Sequence, residues 1–140
     1  MGADRVRTML SPQQCLHLLT QAKLGRMVLS VNCLPTAIPL RITVVGDEIL
    51  ALADDHDVYQ AAIRRDIVAV QVDNAAFAEE EWWTVLATGP LHLVGDDENA
   101  ARLASRATLA NAFEIMAPLV SMPVTHITGS SWIVVDGDSE

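Results

Sequence analysis

The chain has 140 residues and a formal net charge of −9, from nine basic and eighteen acidic side chains. Apolar residues make up 51% of it, too many for a disordered chain, and no apolar run approaches the ~18 residues of a membrane helix. There is one lysine, Lys23, and no basic cluster, so a nucleic-acid backbone is a poor partner.

The length predicts one domain. Residues 1–9 read as a flexible start, 10–135 as the domain and 136–140 as an acidic tail. Cys15 and Cys33 form no framework and have no partner at metal-ligand spacing. With no targeting segment in view, a cytoplasmic protein is the expectation.

Ser11-Pro12-Gln13-Gln14 is a helix opening: Ser11 can cap, Pro12 takes the first turn and Gln14 completes a capping box. Cys15, Leu16, Leu18, Leu19 and Ala22 form its apolar stripe, and Gly25 is the expected stop. The period then changes. Met27, Leu29 and Val31 alternate in a first strand, and Asn32 to Pro35 can turn. Ile38, Leu40, Ile42 and Val44 mark one strand through Val45, and Gly46-Asp47 turns into a third over Glu48–Ala53.

Asp54 to Asp57 leads into a short helix, Val58–Arg65, and Ile67–Asp73 is a fourth strand. Trp82–Val94 reads as a long strand in which Gly89-Pro90 marks a bend, a bulge or an edge. Asp96-Asp97-Glu98 precedes an expected helix over Ala100–Met116, bracketed at its exit by Pro118 and Pro123. Val124–Val135 is the last strand, broken at Gly129. Turns rather than crossover helices join the early strands, which favours a closed or nearly closed barrel over a doubly wound fold.

No Gly-x-Ser-x-Gly elbow, phosphate loop or His/Glu zinc motif is present, and no metal site is expected. His56 and Asp57 suit either a general-base pair in a groove or a helix cap beside a solvated histidine. Arg64 and Arg65 could reach a phosphate across the short helix or lie on the surface. Trp82 and Trp83 are adjacent, so in a strand they face opposite sides.

Five segments carry a family resemblance: Gly25-Arg26, Ile38-Pro39-Leu40-Arg41, Val70-Gln71-Val72-Asp73, Trp83-Thr84-Val85-Leu86 with Gly89, and Ile127-Thr128-Gly129. In that order and spacing the chain resembles the pyridoxamine 5′-phosphate oxidase-like proteins, the flavin-binding split β-barrels, in their small actinobacterial-type branch. The resemblance implies a mainly β fold with flanking helices, a split β-barrel and a homodimer. It implies a flavin mononucleotide (FMN) in a groove between subunits, near Pro39, Leu40, Arg41 and Trp83. It places the phosphate at the third strand and the helix after it, which here means His56, Asp57, Val58 and Arg64. An oxidoreductase of unstated substrate follows from the flavin. The chain departs from the family where phosphate is held: Leu52 replaces a basic residue, and His56-Asp57-Val58 replaces a Gly-Thr-Lys-like run. Thr88 also stands where relatives often carry arginine. These departures favour a second reading, a split barrel that has lost FMN. It would hold a deazaflavin, a haem or another small aromatic ligand, or serve as a dimeric interaction module.

Overall fold

The computed structural model describes residues 3–74, 81–95, 109 and 117–136. The chain begins with β1 (Ala3–Met9) and α1 (Pro12–Gln21). The Ser11 hydroxyl oxygen accepts the Gln14 N–H at 3.2 Å, and Gln14 Oε1 accepts the Ser11 N–H at 2.8 Å. Such a reciprocal cap is worth about 1 kcal/mol. The helix stops at Ala22 rather than Gly25. Gly25 instead lies inside β2 (Leu24–Val31), packed against Val70 and Val72.

Asn32 and Cys33 both have positive φ, 51° and 65°, as a two-residue type I′ hairpin requires. They join β2 to β3 (Leu34–Arg41). The single strand expected through Val45 is two. At Ile42 the chain leaves one sheet for another, held by its N–H donating to the Lys23 carbonyl at 3.0 Å. β4 (Thr43–Val45) and β5 (Glu48–Leu52) then form the hairpin expected at Gly46-Asp47.

α2 spans His56–Arg64, two residues earlier at its start than expected, because Asp55 caps it. β6 (Ile67–Asp73) follows, and the long aromatic strand is β7 (Glu81–Pro90). At Leu91 the chain switches sheets into β8 (His92–Leu93). A Cβ at Gly89 would lie 1.9 Å from the Pro123 carbonyl oxygen, so only glycine lets the two sheets meet there.

The helix expected over Ala100–Met116 lies outside the described residues, apart from a helical Leu109. β9 (Leu119–Pro123) was not foreseen; the prolines at its borders read as a helix exit. β10 (His126–Asp136) runs through Gly129 without a break. A Cβ at Gly129 would sit 2.7 Å from Cys15 Sγ, so this glycine admits α1 onto the sheet.

Two sheets result, both antiparallel throughout their recorded pairings. One has six strands in the order β1-β10-β7-β6-β2-β3; the other has four, β4-β5-β9-β8. Residues 3–9, expected as a flexible start, pair with β10 along their whole length, Ala3 opposite Asp136 and Met9 opposite Ser130. Every described β1 side chain is exposed, so the ladder holds the strand rather than apolar burial, with Arg7 adding hydrogen bonds to Ser130 Oγ at 3.1 and 3.2 Å.

Burial alternates along the strands and explains the layering. Met27, Leu29, Val70, Val72, Val85 and Ala87 point from the large sheet into the main core. Ile49, Ala51, Val120 and Met122 meet them from the small sheet, and Cys15, Leu19, Val58, Ala61 and Ala62 close it from the helices. On the far side of the small sheet, Leu50, Leu52 and Leu119 pack with Leu109. The architecture is a mainly β split barrel with two flanking helices.

Candidate functional site

The alternation that builds the core leaves a second set of side chains on the outer face of the large sheet. Leu24, Val28, Ile67 and Leu86 are all exposed there. Among them lies a polar network. Gln71 Nε2 donates to Asp73 Oδ2 at 2.9 Å and to Thr84 Oγ1 at 2.8 Å, and Arg26 Nη1 donates to Gln71 Oε1 at 2.9 Å. Farther along, Trp132 stacks on Trp82, its partner across the ladder, and Arg7 lies 5.5 Å from the Trp132 ring centre.

One end of this face opens into a groove. Leu24 and Arg41 stand opposite each other at the start of β2 and the end of β3. Beside them is a cavity of about 210 Å³, lined by Pro39, Leu40, Leu52, Asp54 and Leu109 as well. A second cavity of about 480 Å³ shares Leu24, Arg41 and Leu109, and adds Thr20, Gln21, Lys23 and Thr43. On the other side of Leu24 and Pro39 a third, of about 140 Å³, reaches Arg26, Val72 and Asp73. The groove is therefore apolar along its floor and carries Lys23, Arg41 and Asp54 at its edges. Apolar walls with a few convergent polar groups are the usual make-up of a small-ligand site.

The head of α2 is built differently. Asp55 Oδ1 accepts the N–H of Asp57 at 2.8 Å and that of Val58 at 3.2 Å. The free N–H groups that make a helix start attractive to an anion are thus taken by the chain's own carboxylate. His56, Asp57 and Arg64 line a polar hollow with Asn32, Gln60 and Asp66. Arg64 is held there by Asp66, with Nη2 to Oδ2 at 2.9 Å.

The eight residues singled out from the sequence are therefore divided. Pro39, Leu40 and Arg41 share the groove, whereas His56, Asp57 and Arg64 share the hollow at α2. Val58 is fully buried in the main core, and Trp83 packs against that core from its edge. Lys23, Leu24 and Leu109 line the groove without having been singled out. Lys23 and Leu24 read as the tail of the first helix. Only the pairing of β2 with β3 brings them to Arg41. Among the described residues, no group of three or more His, Cys, Asp or Glu side chains could hold a metal ion. No helix among them is long and apolar enough to cross a membrane.

The sequence profile described as pyridoxamine 5′-phosphate oxidase matches residues 11–131. The chain belongs to the pyridoxamine 5′-phosphate oxidase-like family. It is similar to the FAD-binding protein of Mycobacterium smegmatis, with 26% identity and a TM-score of 0.67, over 90% of this chain and 98% of that one. A FAD-binding protein of Mesorhizobium loti aligns with 17% identity and a TM-score of 0.77, over 92% and 98% of the two chains. The FAD- and haem-binding protein of M. smegmatis aligns with 18% identity and a TM-score of 0.65, over 96% and 76%. A comparison with curated protein sequences finds no match.

Within this flavin-binding fold family, the groove and the head of α2 differ in how they suit a flavin. The groove, with Pro39 and the leucines as walls, fits an apolar ring. The head of α2 does not fit a phosphate: the N–H groups of Asp57 and Val58 are taken by Asp55, and Asp54 and Asp57 flank that cap in the chain.

Proposed function

We propose that the protein binds a flavin by its ring, in the groove between Leu24, Pro39, Leu40 and Arg41, and works as a homodimer. FMN is the form the family suggests. The solved relatives that carry FAD in their names make the dinucleotide an equal candidate. The supporting observation is the apolar groove with Arg41 at its rim, opening onto the outer face of the large sheet. A bound flavin supplies electron and hydride transfer, which would make the protein an oxidoreductase. The chain's own side chains bind the ring, orient it and exclude water.

The dimer reading rests on the same face. Leu24, Val28, Ile67 and Leu86 form an apolar surface crossed by the Arg26–Gln71–Asp73–Thr84 network. Such a patch favours self-association, and two-fold symmetry closes it most simply. A second subunit there would also roof the groove.

Equilibrium dialysis against riboflavin, FMN and FAD tests the proposal. Saturable retention of any of the three at micromolar concentration is the expected result. No retention of any of them overturns the flavin reading and favours a binding module for another ligand. The capped head of α2 is the observation that supports this second reading.

A further inference from the structure

We propose that Lys23 and Arg41 form an anion subsite at the junction of α1, β2 and β3. A phosphate-bearing ligand would place its phosphate there rather than at the head of α2. The inference takes its ligand from the flavin reading, but the subsite stands on observations of its own.

The first is electrostatic. Lys23 and Arg41 line one cavity of about 480 Å³, with Thr20, Gln21 and Thr43 as its other polar groups and no carboxylate among its described lining. The carboxylate of this region, Asp54, lies in the adjoining smaller cavity. Arg41 lines both, so a ligand spanning the two with its anionic end in the larger would keep that end beside Lys23 and Arg41 and on the side away from Asp54.

The second is availability. Arg26 is engaged with Gln71 and Asp73, and Arg64 with Asp66. Among the described residues, the side chains of Lys23 and Arg41 have no such partner. The third is placement. Arg41 stands across the ladder from Leu24, and the Ile42 N–H to Lys23 carbonyl bond of 3.0 Å extends that ladder by one step. Both cations are thus fixed to a hydrogen-bonded strand end, next to the apolar walls that would take a ring. A guanidinium can grip phosphate with two N–H groups, and an ammonium adds a point charge. Both side chains are exposed, so the attraction is moderate and salt-sensitive.

The test titrates the full chain with riboflavin and FMN at low salt. It is repeated on Lys23→Gln, Arg41→Gln, the double variant and Arg64→Gln, the last probing the head of α2. In the parent protein FMN should bind about tenfold tighter than riboflavin. Each single substitution should cut that ratio by about threefold, and the double variant should bring it to about unity. The Arg64→Gln ratio should stay within about twofold of the parent's. A ratio unmoved in the double variant, or lost in Arg64→Gln, overturns the subsite, as does a parent protein with no preference for phosphate. If neither flavin binds, the flavin reading fails and inorganic pyrophosphate decides the subsite. Binding lost in the double variant supports it, and no binding overturns it.

Discussion

The Asp55 carboxylate reaches over the first turn of α2 and accepts the backbone N–H of Asp57 at 2.8 Å. One oxygen also takes the N–H of Val58, so a single side chain does at this helix what a bound anion would do. Asp55→Ala should therefore lower stability by about 0.5–2 kcal/mol. Urea unfolding followed by circular dichroism measures this. An unchanged midpoint would remove the cap, and with it the argument that the helix start is already filled.

The seam between the sheets gives a sharper case. Gly89→Ala would drive a methyl group onto the Pro123 carbonyl, at a starting distance of 1.9 Å. Backbone on both sides cannot yield as a flexible side chain would. The expected cost is about 3 kcal/mol or more, at the top of the range for overpacking. A thermal melt within a degree or two of the parent would show that the sheets do not meet there as described.

The two cysteines should differ in reactivity. Burial raises the Cys15 thiol pKa, partly countered by a backbone hydrogen bond, whereas Cys33 is exposed at the hairpin turn. Native protein should take up one equivalent of iodoacetamide, at Cys33, and unfolded protein two. The raised pKa also sets a sign. In the unfolded chain Cys15 ionises at its ordinary value, while in the folded protein it stays protonated to higher pH. Its contribution to stability is complete below the ordinary thiol range and is lost as pH rises through the raised value. Cys15→Ser would place a polar hydroxyl against Gly129, so mass spectrometry of the labelled parent is the cleaner test.

The strand pattern was legible wherever one face is buried, and lost its meaning elsewhere. Ile38, Leu40, Ile42 and Val44 all point into one core, so the alternation passes unbroken through Ile42, where the chain changes sheets. Leu119 to Met122 are all buried, because β9 has core on both faces. Such a run carries no period, and strand and helix look alike. β1 is the opposite case, exposed on both faces and held by strand pairing and by Arg7, which donates to Ser130 Oγ, rather than by apolar burial. The site suffered from the same limit. Pro39, Leu40 and Arg41 were visible as a motif, but Lys23 and Leu24 join them only through long-range pairing. The acid-rich stretch was legible chemically, since three carboxylates beside a helix start disfavour phosphate whatever the fold.

The proposed dimer is open to a direct check. Light scattering should return twice the chain mass at micromolar concentration. Leu86→Asp, in the middle of the exposed apolar face, should return the mass of a single chain while keeping the parent's far-ultraviolet spectrum. A parent protein with the mass of one chain would contradict the dimer, as would a dimer indifferent to the substitution.

In the proposed flavin site the ring, more than the phosphate, carries binding. Calorimetric titration of the parent protein with FMN and with riboflavin measures the two contributions side by side. Both should bind, with the phosphate adding less than a hundredfold, or about 2.7 kcal/mol. Nanomolar FMN with riboflavin more than about a hundredfold weaker would contradict it, by showing a built phosphate site that the capped head of α2 and the two exposed cations do not supply.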